Sequence, residues 1–353
     1  MSEPRTFTVS ENEANQRLDR FLRKLLQDTS LNAIYKLVRT RRVTVNHRKS
    51  KPDARLKLGD VIVFHQADAE RRMQPALRRR AEKGLSTRRD FEVVYEDAHL
   101  VAVNKPHGLL VHAGDRGVER DTLIDQVTAW LLEKGHDAEP GDLQDFVRPS
   151  PTFSPSLAHR LDRDTSGLVL IGKTLPALQA LTSMIKKREV RKTYLALAIG
   201  GLPQREGTIQ ASIERQEDAK GRRRKVAVGQ GRSARTDYRV IAQRGQYTLA
   251  ELELITGRTH QIRAHLAHVG APIAGDDEYG DRERNRHAAD KLGLKRQFLH
   301  AARLQFTHPL TGQELDLVAP LQADLARALA AAGFEPAALP QWLAAAAARK
   351  AAS

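Results

Sequence analysis

The stretch HRLDRDTSG (His159–Gly167), followed by the apolar run LVLI (Leu168–Ile171), joins a densely charged loop to a strand-like segment. The loop carries two carboxylates, two guanidinium groups and a glycine, and loops of this kind on a rigid strand often hold functional side chains. A purely structural alternative is a turn in which Asp162 or Asp164 caps neighbouring amides and Gly167 adopts a positive φ. The stretch alone leaves both interpretations open.

The same loop partly fits a calcium-binding pattern. Asp162, Asp164, Ser166 and Gly167 occupy the first, third, fifth and sixth positions of such a loop. Its last position would be Lys173, where calcium requires a bidentate Glu. The sequence therefore excludes a calcium site here.

Five motifs follow one another along the chain in a definite order. They are NKPHGLLVH (Asn104–His112), HRLDRDTSG (His159–Gly167), RKTYLAL (Arg191–Leu197), GRTHQIRAHL (Gly257–Leu266) and LHAARLQFTHPLTG (Leu299–Gly312). Together they resemble the RluA group of pseudouridine synthases, which act on large-subunit ribosomal RNA and transfer RNA. The segment GDDEYGDRE (Gly275–Glu283) is most similar to the RluC branch, the ribosomal large-subunit synthases. The resemblance extends from the region of Phe91 to that of Pro320.

The N-terminal part resembles the α-L type of RNA-binding domain. Apolar spacing predicts a strand near Thr6 to Val9 and helices over Gln16 to Leu26 and Asn32 to Thr40. A basic hairpin follows, with strands from Val43 to Asn46 and from Arg55 to Val63. Related domains usually have glycine before the first strand and after its Asn, and this chain has Thr-Arg and Asn-His there.

The charge of the chain favours a polyanionic partner. Lys and Arg number 58 against 43 Asp and Glu, and residues 1–90 alone hold 22 basic and 11 acidic side chains. With RNA as the partner, we expect basic side chains of the N-terminal domain and of the predicted exposed turn Lys220–Lys225 to bind phosphates. These residues are Arg39, Arg41, Arg42, Arg48, Lys49, Lys51, Arg222, Arg223 and Arg224. The alternative is a basic surface that is merely solvated.

Four segments are predicted along the chain: an RNA-binding domain at 1–65, a basic linker at 66–90, a catalytic domain at 91–320, and an Ala-rich helix and tail at 321–353. Strands and helices alternate irregularly, with several hairpins. This favours an α+β fold with a mixed, largely antiparallel sheet over a doubly wound parallel one. The resemblance implies the pseudouridine synthase fold for this core, beside a small α+β N-terminal domain.

Composition excludes several classes of site. Cysteine is absent, which excludes disulfides, thiolate zinc sites and cysteine nucleophiles. His260, His265 and His268 have no HExxH pattern or carboxylate partner, so no metal is expected. No signal peptide and no apolar run long enough to cross a membrane are evident, and we expect a cytoplasmic protein.

Conversion of uridine to pseudouridine breaks the bond from ribose to the ring nitrogen, rotates the base and rejoins it through carbon 5. No atom is gained and nothing is oxidised, so no cofactor is expected. The resemblance assigns the required carboxylate to Asp162, a cation that pairs with it to Arg263, and an aromatic support for the displaced uracil to Tyr194. An Arg fork can hold a carboxylate through two hydrogen bonds.

Each of these residues also has a structural interpretation. Tyr194 could be a core tyrosine, and Arg263 a surface helix residue satisfied by a neighbour. Arg160 could fill the gap left by an unstacked uridine or simply bind phosphate. Asp164 more readily shapes the loop than takes part in chemistry.

The sequence predicts an RNA pseudouridine synthase, an isomerase (intramolecular transferase) of rRNA processing and RNA modification, with 23S ribosomal RNA as its partner and a monomeric state. A transfer-RNA synthase and a non-catalytic RNA-binding assembly factor are the two alternatives.

Overall fold

The computed structural model describes residues 5–26, 29–65, 88–113, 121–137, 150, 152–217, 223–229 and 231–344. Its N-terminal domain packs two helices against a small sheet around an apolar core that includes Phe21 and Phe64. The elements are β1 (Arg5–Thr8), α1 (Leu18–Leu25), α2 (Leu31–Arg39), β2 (Val43–Val45) and β3 (Val61–Phe64). The strands pair antiparallel in the order β1-β3-β2. The predicted small α+β domain is thereby confirmed.

The last strand of this domain is shorter than predicted. The sequence indicated a strand from Arg55, but β3 begins only at Val61. Gly59 has a φ of +83°, and the Asp60 carboxylate accepts a hydrogen bond from the Lys57 amide. These local contacts stabilise a turn over residues whose hydrophobicity alternates as in a strand.

The two positions where related domains have glycine adopt a glycine-like backbone here. Arg41 has a φ of +58°, and Asn46 and His47 have φ values of +50° and +61°. Residues with a Cβ adopt this left-handed conformation at some cost, and Asn tolerates it better than most. The missing glycines therefore leave the turns of the hairpin in place.

The remainder of the described chain is built on one sheet of eleven strands. Its strands are β4 (Glu92–Glu96), β5 (Leu100–Lys105), β6 (Ser156–Leu157), β7 (Ser166–Gly172), β8 (Arg191–Ile199), β9 (Glu206–Glu217), β10 (Arg223–Val228), β11 (Arg232–Arg244), β12 (Tyr247–Leu254), β13 (Leu299–Thr307) and β14 (Glu314–Val318). The order is β10-β9-β11-β12-β8-β13-β7-β5-β4, with β14 on β13 and β6 on β7. Among the strands that the structure describes, only β13 and β7 pair parallel, which confirms the mixed, largely antiparallel prediction.

Helices cover this sheet. They are α3 (Leu123–Asp137), α4 (Leu175–Lys187), α5 (Gln261–His268), α6 (Arg282–Leu292) and α7 (Ala323–Ala331), with a 3-10 turn at Pro336–Ala338. Successive residues of β7 belong to two different apolar clusters, Leu168 and Leu170 to one, Val169 and Ile171 to the other. The sheet centre is therefore buried on both faces, which is why this strand reads as a continuous apolar run.

One row of residues across the sheet brings four of the sequence motifs together. Gly167 pairs with Lys105 on one side and with Ala301 on the other. Ala301 pairs in turn with Tyr194, and Tyr194 with Leu252. Because adjacent strands lie about 4.8 Å apart, the charged loop that ends at Gly167 and the tyrosine of RKTYLAL lie on neighbouring parts of one surface.

The N-terminal domain contacts the large sheet domain through buried polar groups. The Glu13 carboxylate, which has no exposed surface, accepts hydrogen bonds from the Ser150 and Thr152 hydroxyls at 2.5 and 2.6 Å. The Asn12 side-chain oxygen accepts a hydrogen bond from the Leu175 amide at the start of α4. These contacts join the two domains directly.

Three further predictions concern the basic linker, the basic run Lys220–Lys225 and the Ala-rich C-terminal segment. The basic linker falls largely in residues 66–87, which lie outside the described residues. The prediction of a turn at Lys220–Lys225 is wrong for Arg223 and Arg224, which belong to β10, a strand that pairs with β9. The Ala-rich segment forms α7, whose Leu325 and Leu329 pack in the main core. Within the described ranges, no helix is long and apolar enough to cross a membrane.

Candidate active site

Asp162, Tyr194 and Arg263 line one cleft of about 100 Å³. Asp162 lies in the loop before β7, Tyr194 in β8 and Arg263 in the first turn of α5. The Nη1 atom of Arg263 lies 3.3 Å from Oδ2 of Asp162. About 29% of the Asp162 side chain is exposed, so it can meet a ligand that enters the cleft. The structure thus brings the three predicted residues together.

The fork of Arg263 binds a different carboxylate from the one expected. Its Nε and Nη2 atoms donate to the two oxygens of Asp276 at 2.7 and 2.9 Å, and Asp276 is fully buried. Asp162 receives only the remaining Nη1 hydrogen bond. The expectation of a two-bond pairing with Asp162 is therefore wrong. The bidentate pair instead fixes the guanidinium, and the fixed guanidinium holds Asp162.

The pKa values of this buried pair move in the directions of a stable ion pair. Burial alone raises the pKa of Asp276, but the hydrogen bonds and charge of Arg263 hold it below its usual value. Burial lowers the pKa of Arg263, and the opposing effects of Asp276, Asp162 and Glu278 raise it above its usual value. Both groups are charged at neutral pH, as a stable anchor for Asp162 requires.

Two more residues complete the surroundings of the guanidinium. Glu278 accepts a hydrogen bond from Nη2 of Arg263 at 3.1 Å, and the Tyr279 ring lies beneath the guanidinium with 4.9 Å between Cζ and the ring centroid. The Asp276 carboxylate also accepts hydrogen bonds from the Glu278 and Tyr279 amides, which shapes the turn that carries them. One cation is therefore shared by three carboxylates and one aromatic face.

Tyr194 is buried among the core residues and borders the cleft. Burial raises the pKa of its hydroxyl, and the negative charge of Asp162 raises it further. Tyr194 is therefore a neutral phenol at neutral pH. Its ring can support a planar base, and its hydroxyl can pass on a proton only if it gains another in exchange.

Residues distant in sequence hold the charged loop in place. Lys105, fully buried, donates from Nζ to the carbonyls of Pro106, Leu109 and Arg163 at 2.7–2.9 Å. Burial lowers the pKa of Lys105 to about 7, while the three carbonyls accept every hydrogen of its ammonium group. The backbone of the loop is thus fastened to the turn after β5.

Arg296 and Gln297 hold the charged loop from its other side. Arg296 donates from Nη1 to the Asp164 carbonyl and pairs with Asp324 at the start of α7. The Gln297 amide donates to the Thr165 hydroxyl at 2.7 Å. Asp164 itself is exposed, as suits a residue that shapes the loop through its backbone.

Several of these residues were missed by sequence reasoning. Asp276, Glu278 and Tyr279 lie in GDDEYGDRE, which was noted only for its similarity to one branch, and Lys105 lies in NKPHGLLVH. The only signal in the sequence was the cluster of acidic residues in GDDEYGDRE. A pairing of these residues with Arg263 could not be predicted, because the sequence does not show that Arg263 is buried.

The predicted RNA-binding residues fall into three groups. Arg160 is exposed and lines the cleft. Six predicted basic side chains of the N-terminal domain, here called its basic face, are all exposed: Arg39, Arg41, Arg42, Arg48, Lys49 and Lys51. Arg222 lies outside the described residues, and for Arg223 and Arg224 only the backbone is described. Across the part of the chain that the structure describes, no group of three or more His, Asp or Glu could hold a metal ion.

Comparisons with known sequences point to one family. A family model for RNA pseudouridylate synthases matches residues 99–268, and an S4 domain model matches residues 16–62. The ribosomal large subunit pseudouridine synthase C of Escherichia coli strain K12 is 35% identical over 322 residues, 91% of this chain and 94% of that protein. Its namesake from Vibrio cholerae is 34% identical over 325 residues, again 91% and 94% of the two chains.

Solved structures agree on the fold. The human RNA pseudouridylate synthase domain containing 4 is 26% identical with a TM-score of 0.53, over 69% of this chain and 93% of that one. The human domain containing 1 protein is 25% identical with a TM-score of 0.50, over 67% and 86% of the two chains. The resemblance to the RluA group and the fold that it implies are confirmed.

Proposed function

The chain belongs to the RNA pseudouridylate synthase family, and on that premise we propose that it isomerises specific uridines of 23S ribosomal RNA with Asp162 as its catalytic carboxylate. The chain is an RNA pseudouridine synthase, an isomerase with an N-terminal S4 RNA-binding domain. The relatives named as ribosomal large subunit synthases support the choice of substrate. The observation that carries the choice of carboxylate is the Asp162–Arg263 ion pair in a cleft lined by Tyr194.

The chemistry balances without any added reagent. The bond from N1 to C1′ breaks, the bond from C5 to C1′ forms, and N1 gains a proton while C5 loses one. Asp162 is positioned to attack the sugar or the ring, or otherwise to stabilise the cleaved intermediate. No redox group, nucleotide or metal is needed for these steps.

The two neighbours have distinct tasks. Arg263 orients Asp162 and balances its negative charge where RNA covers the cleft and removes water from the carboxylate. Tyr194 supports the detached uracil by stacking. Its neutral hydroxyl can transfer its own proton while it receives the hydrogen of C5.

RNA is held by surfaces on both domains. The basic face of the N-terminal domain binds phosphates, Arg160 at the cleft contacts the extruded nucleotide or its phosphate, and the strand that contains Arg223 and Arg224 adds a third contact. A ribosomal substrate implies that the enzyme works in the cytoplasm, where it acts as a monomer without cofactors.

A scan of modified positions tests this function. We expect primer extension on carbodiimide-treated RNA from a deletion strain to lose stops in 23S ribosomal RNA only, and the purified protein to restore them on unmodified transcripts. Loss of stops in transfer RNA instead would identify the other substrate class. Unchanged stops in both RNAs, with no product in vitro, would show a non-catalytic RNA-binding protein.

A further inference from the structure

His260 is an active-site residue to which neither the sequence nor the mechanism above gives a role. It directly precedes α5 and has a φ of +52°, the left-handed region that residues with a Cβ seldom adopt. Such a conformation is unfavourable for a residue with a Cβ and persists where the surroundings determine it. It lies three residues before Arg263, and its ring borders the same cleft.

The ring of His260 lies among the groups that surround Arg263. Its Nε2 atom is 3.9 Å from Oδ1 of Asp162, on the other oxygen from the one that Arg263 contacts. Its Nδ1 atom is 3.0 Å from the Tyr279 hydroxyl and 3.4 Å from Oε2 of Glu278. Asp162 therefore has a basic side chain facing each of its two oxygens.

The Tyr279 hydroxyl and the Glu278 carboxylate contact Nδ1 of His260, and Nε2 faces Asp162. The Val226 amide donates to the Tyr279 oxygen at 2.8 Å, and the hydroxyl can donate its own hydrogen to Nδ1 of His260. In the arrangement in which Nδ1 accepts this hydrogen bond, the ring hydrogen lies on Nε2 and faces Asp162.

We propose that His260 is a positioning residue for Asp162. Its Nε2 atom donates to Oδ1 of Asp162, while Arg263 donates to Oδ2 of the same carboxylate. The resting separation of 3.9 Å is longer than a hydrogen bond, and a shift of about 1 Å by either side chain brings it to hydrogen-bond distance. Asp162 has room for that shift because it lies in a loop and is partly exposed. With both oxygens held, the carboxylate has one orientation toward the nucleotide, and misplacement of such a group costs about 10²-fold in rate.

The proposal rests on the function given above, since it assigns Asp162 a catalytic role. His260→Leu removes the donor, and we expect kcat to fall about 10²-fold with KM nearly unchanged. His260→Gln carries an amide hydrogen near the place of Nε2, and should retain most of the rate. The matched control is His268→Leu, the same substitution at an exposed residue of α5, which should leave kcat unchanged.

A double-variant comparison shows whether Tyr279 acts through His260. Tyr279→Phe keeps the ring beneath Arg263 and removes the hydroxyl, so kcat should fall in the wild-type chain. In the His260→Leu chain it should produce no further fall. Full additivity of the two losses, a wild-type kcat for His260→Leu, or a loss confined to KM or to melting temperature would overturn the proposal.

A measurement without RNA separates this inference from the function itself. Nitrogen-15 spectra of the full chain labelled in histidine should show the His260 hydrogen on Nε2, and a mixture of tautomers in Tyr279→Phe. A hydrogen on Nδ1 in the wild type would overturn the proposal. If instead the wild type modified no RNA, the proposed function would fall, and these spectra would still decide the hydrogen-bonded arrangement of His260.

Discussion

A single guanidinium organises the cleft at the scale of residues. Arg263 is buried and contacts Asp162, Asp276 and Glu278, of which only Asp276 binds it through two hydrogen bonds. The position of Asp162 therefore depends on Asp276, a buried carboxylate that does not line the cleft.

Asp276→Asn tests that dependence. The substitution removes a charge and turns one acceptor into a donor that faces Arg263, and we expect the single-turnover rate to fall about 10²-fold. Removal of one partner from a buried ion pair also destabilises by about 3–5 kcal/mol, so the melting temperature should drop. Asp277→Asn, the same change at the exposed next residue, should alter neither value. A wild-type rate for Asp276→Asn would show that Arg263 needs no anchor.

Tyr194→Phe separates stacking from proton transfer. The raised pKa of the hydroxyl means that it cannot act as a free phenolate, but it can pass a proton on when C5 loses its own. We expect Phe to keep RNA affinity and slow single-turnover chemistry about 10²-fold, and Leu to be at least as slow. Tyr247→Phe, another buried core tyrosine, should react at the wild-type rate. Near-normal turnover by Tyr194→Leu would remove this residue from the site.

The sequence predicted three residues that the fold brings to one cleft, and it missed the residues that hold them. Asp162, Tyr194 and Arg263 lie in motifs that can be recognised from the amino-acid sequence alone. Asp276 and Lys105 act through contacts with segments far away in the chain, and such pairings exist only once the sheet has formed. The number of hydrogen bonds between Arg263 and Asp162 was wrongly expected for the same reason.

At the scale of elements, the parallel pairing of β7 with β13 determines where the charged loop ends. Gly167 has a φ of +114°, and a Cβ built on it would lie 2.2 Å from the Ala301 carbonyl oxygen. The glycine lets β7 approach β13 closely enough to align Gly167, Ala301 and Tyr194 in one row. Gly167 therefore has the positive φ that the structural interpretation predicted, and this is compatible with a functional role for the loop.

Gly167→Ala should push β7 away from β13. We expect a loss of about 2 kcal/mol or more in unfolding free energy, because the added carbon meets backbone that cannot move alone, together with a marked loss of activity. Gly312→Ala is the matched control, since Gly312 also has a positive φ but open space around its Cα. It should lose only about 1 kcal/mol and remain active. Equal effects on stability and activity at both sites would contradict the close-approach argument.

Element boundaries followed the hydrophobic pattern except where side chains or sheet pairing overrode it. The turn around Asp60 shortened β3, because a carboxylate that binds backbone amides outweighs the alternation of Leu56 and Leu58. Arg223 and Arg224 were predicted to lie in a turn, yet they belong to β10, which pairs with β9. The pairing partner of an edge strand cannot be read from the strand itself.

At the scale of the whole molecule, the N-terminal domain contacts the large sheet domain through Glu13 and Asn12. The Glu13 carboxylate is fully buried and accepts hydrogen bonds from hydroxyls of both domains, Ser10 included. A direct contact of this kind presents the basic N-terminal face and the cleft to RNA in one arrangement. Pre-arranged surfaces bind a large ligand more tightly than two independent ones.

Glu13→Ala should loosen that arrangement without unfolding either domain. We expect a larger radius of gyration by small-angle X-ray scattering in the absence of RNA, and weaker binding of a long ribosomal fragment. Affinity for a short fragment that reaches only the cleft should be unchanged. Glu11→Ala removes an exposed carboxylate from the same segment and serves as the control. Identical scattering from the two variants would show that the buried contact does not fix the domains.

The most direct test of the whole account is the reaction of Asp162→Asn on ribosomal RNA labelled with tritium at C5 of uridine. Asparagine keeps the size and polarity of the side chain and removes the charge, so we predict no release of tritium and no pseudouridine, with RNA affinity within a few fold of wild type. Asp164→Asn, the same change at an exposed carboxylate of the same loop, should react normally. Pseudouridine formation by Asp162→Asn above trace level would contradict the central claim.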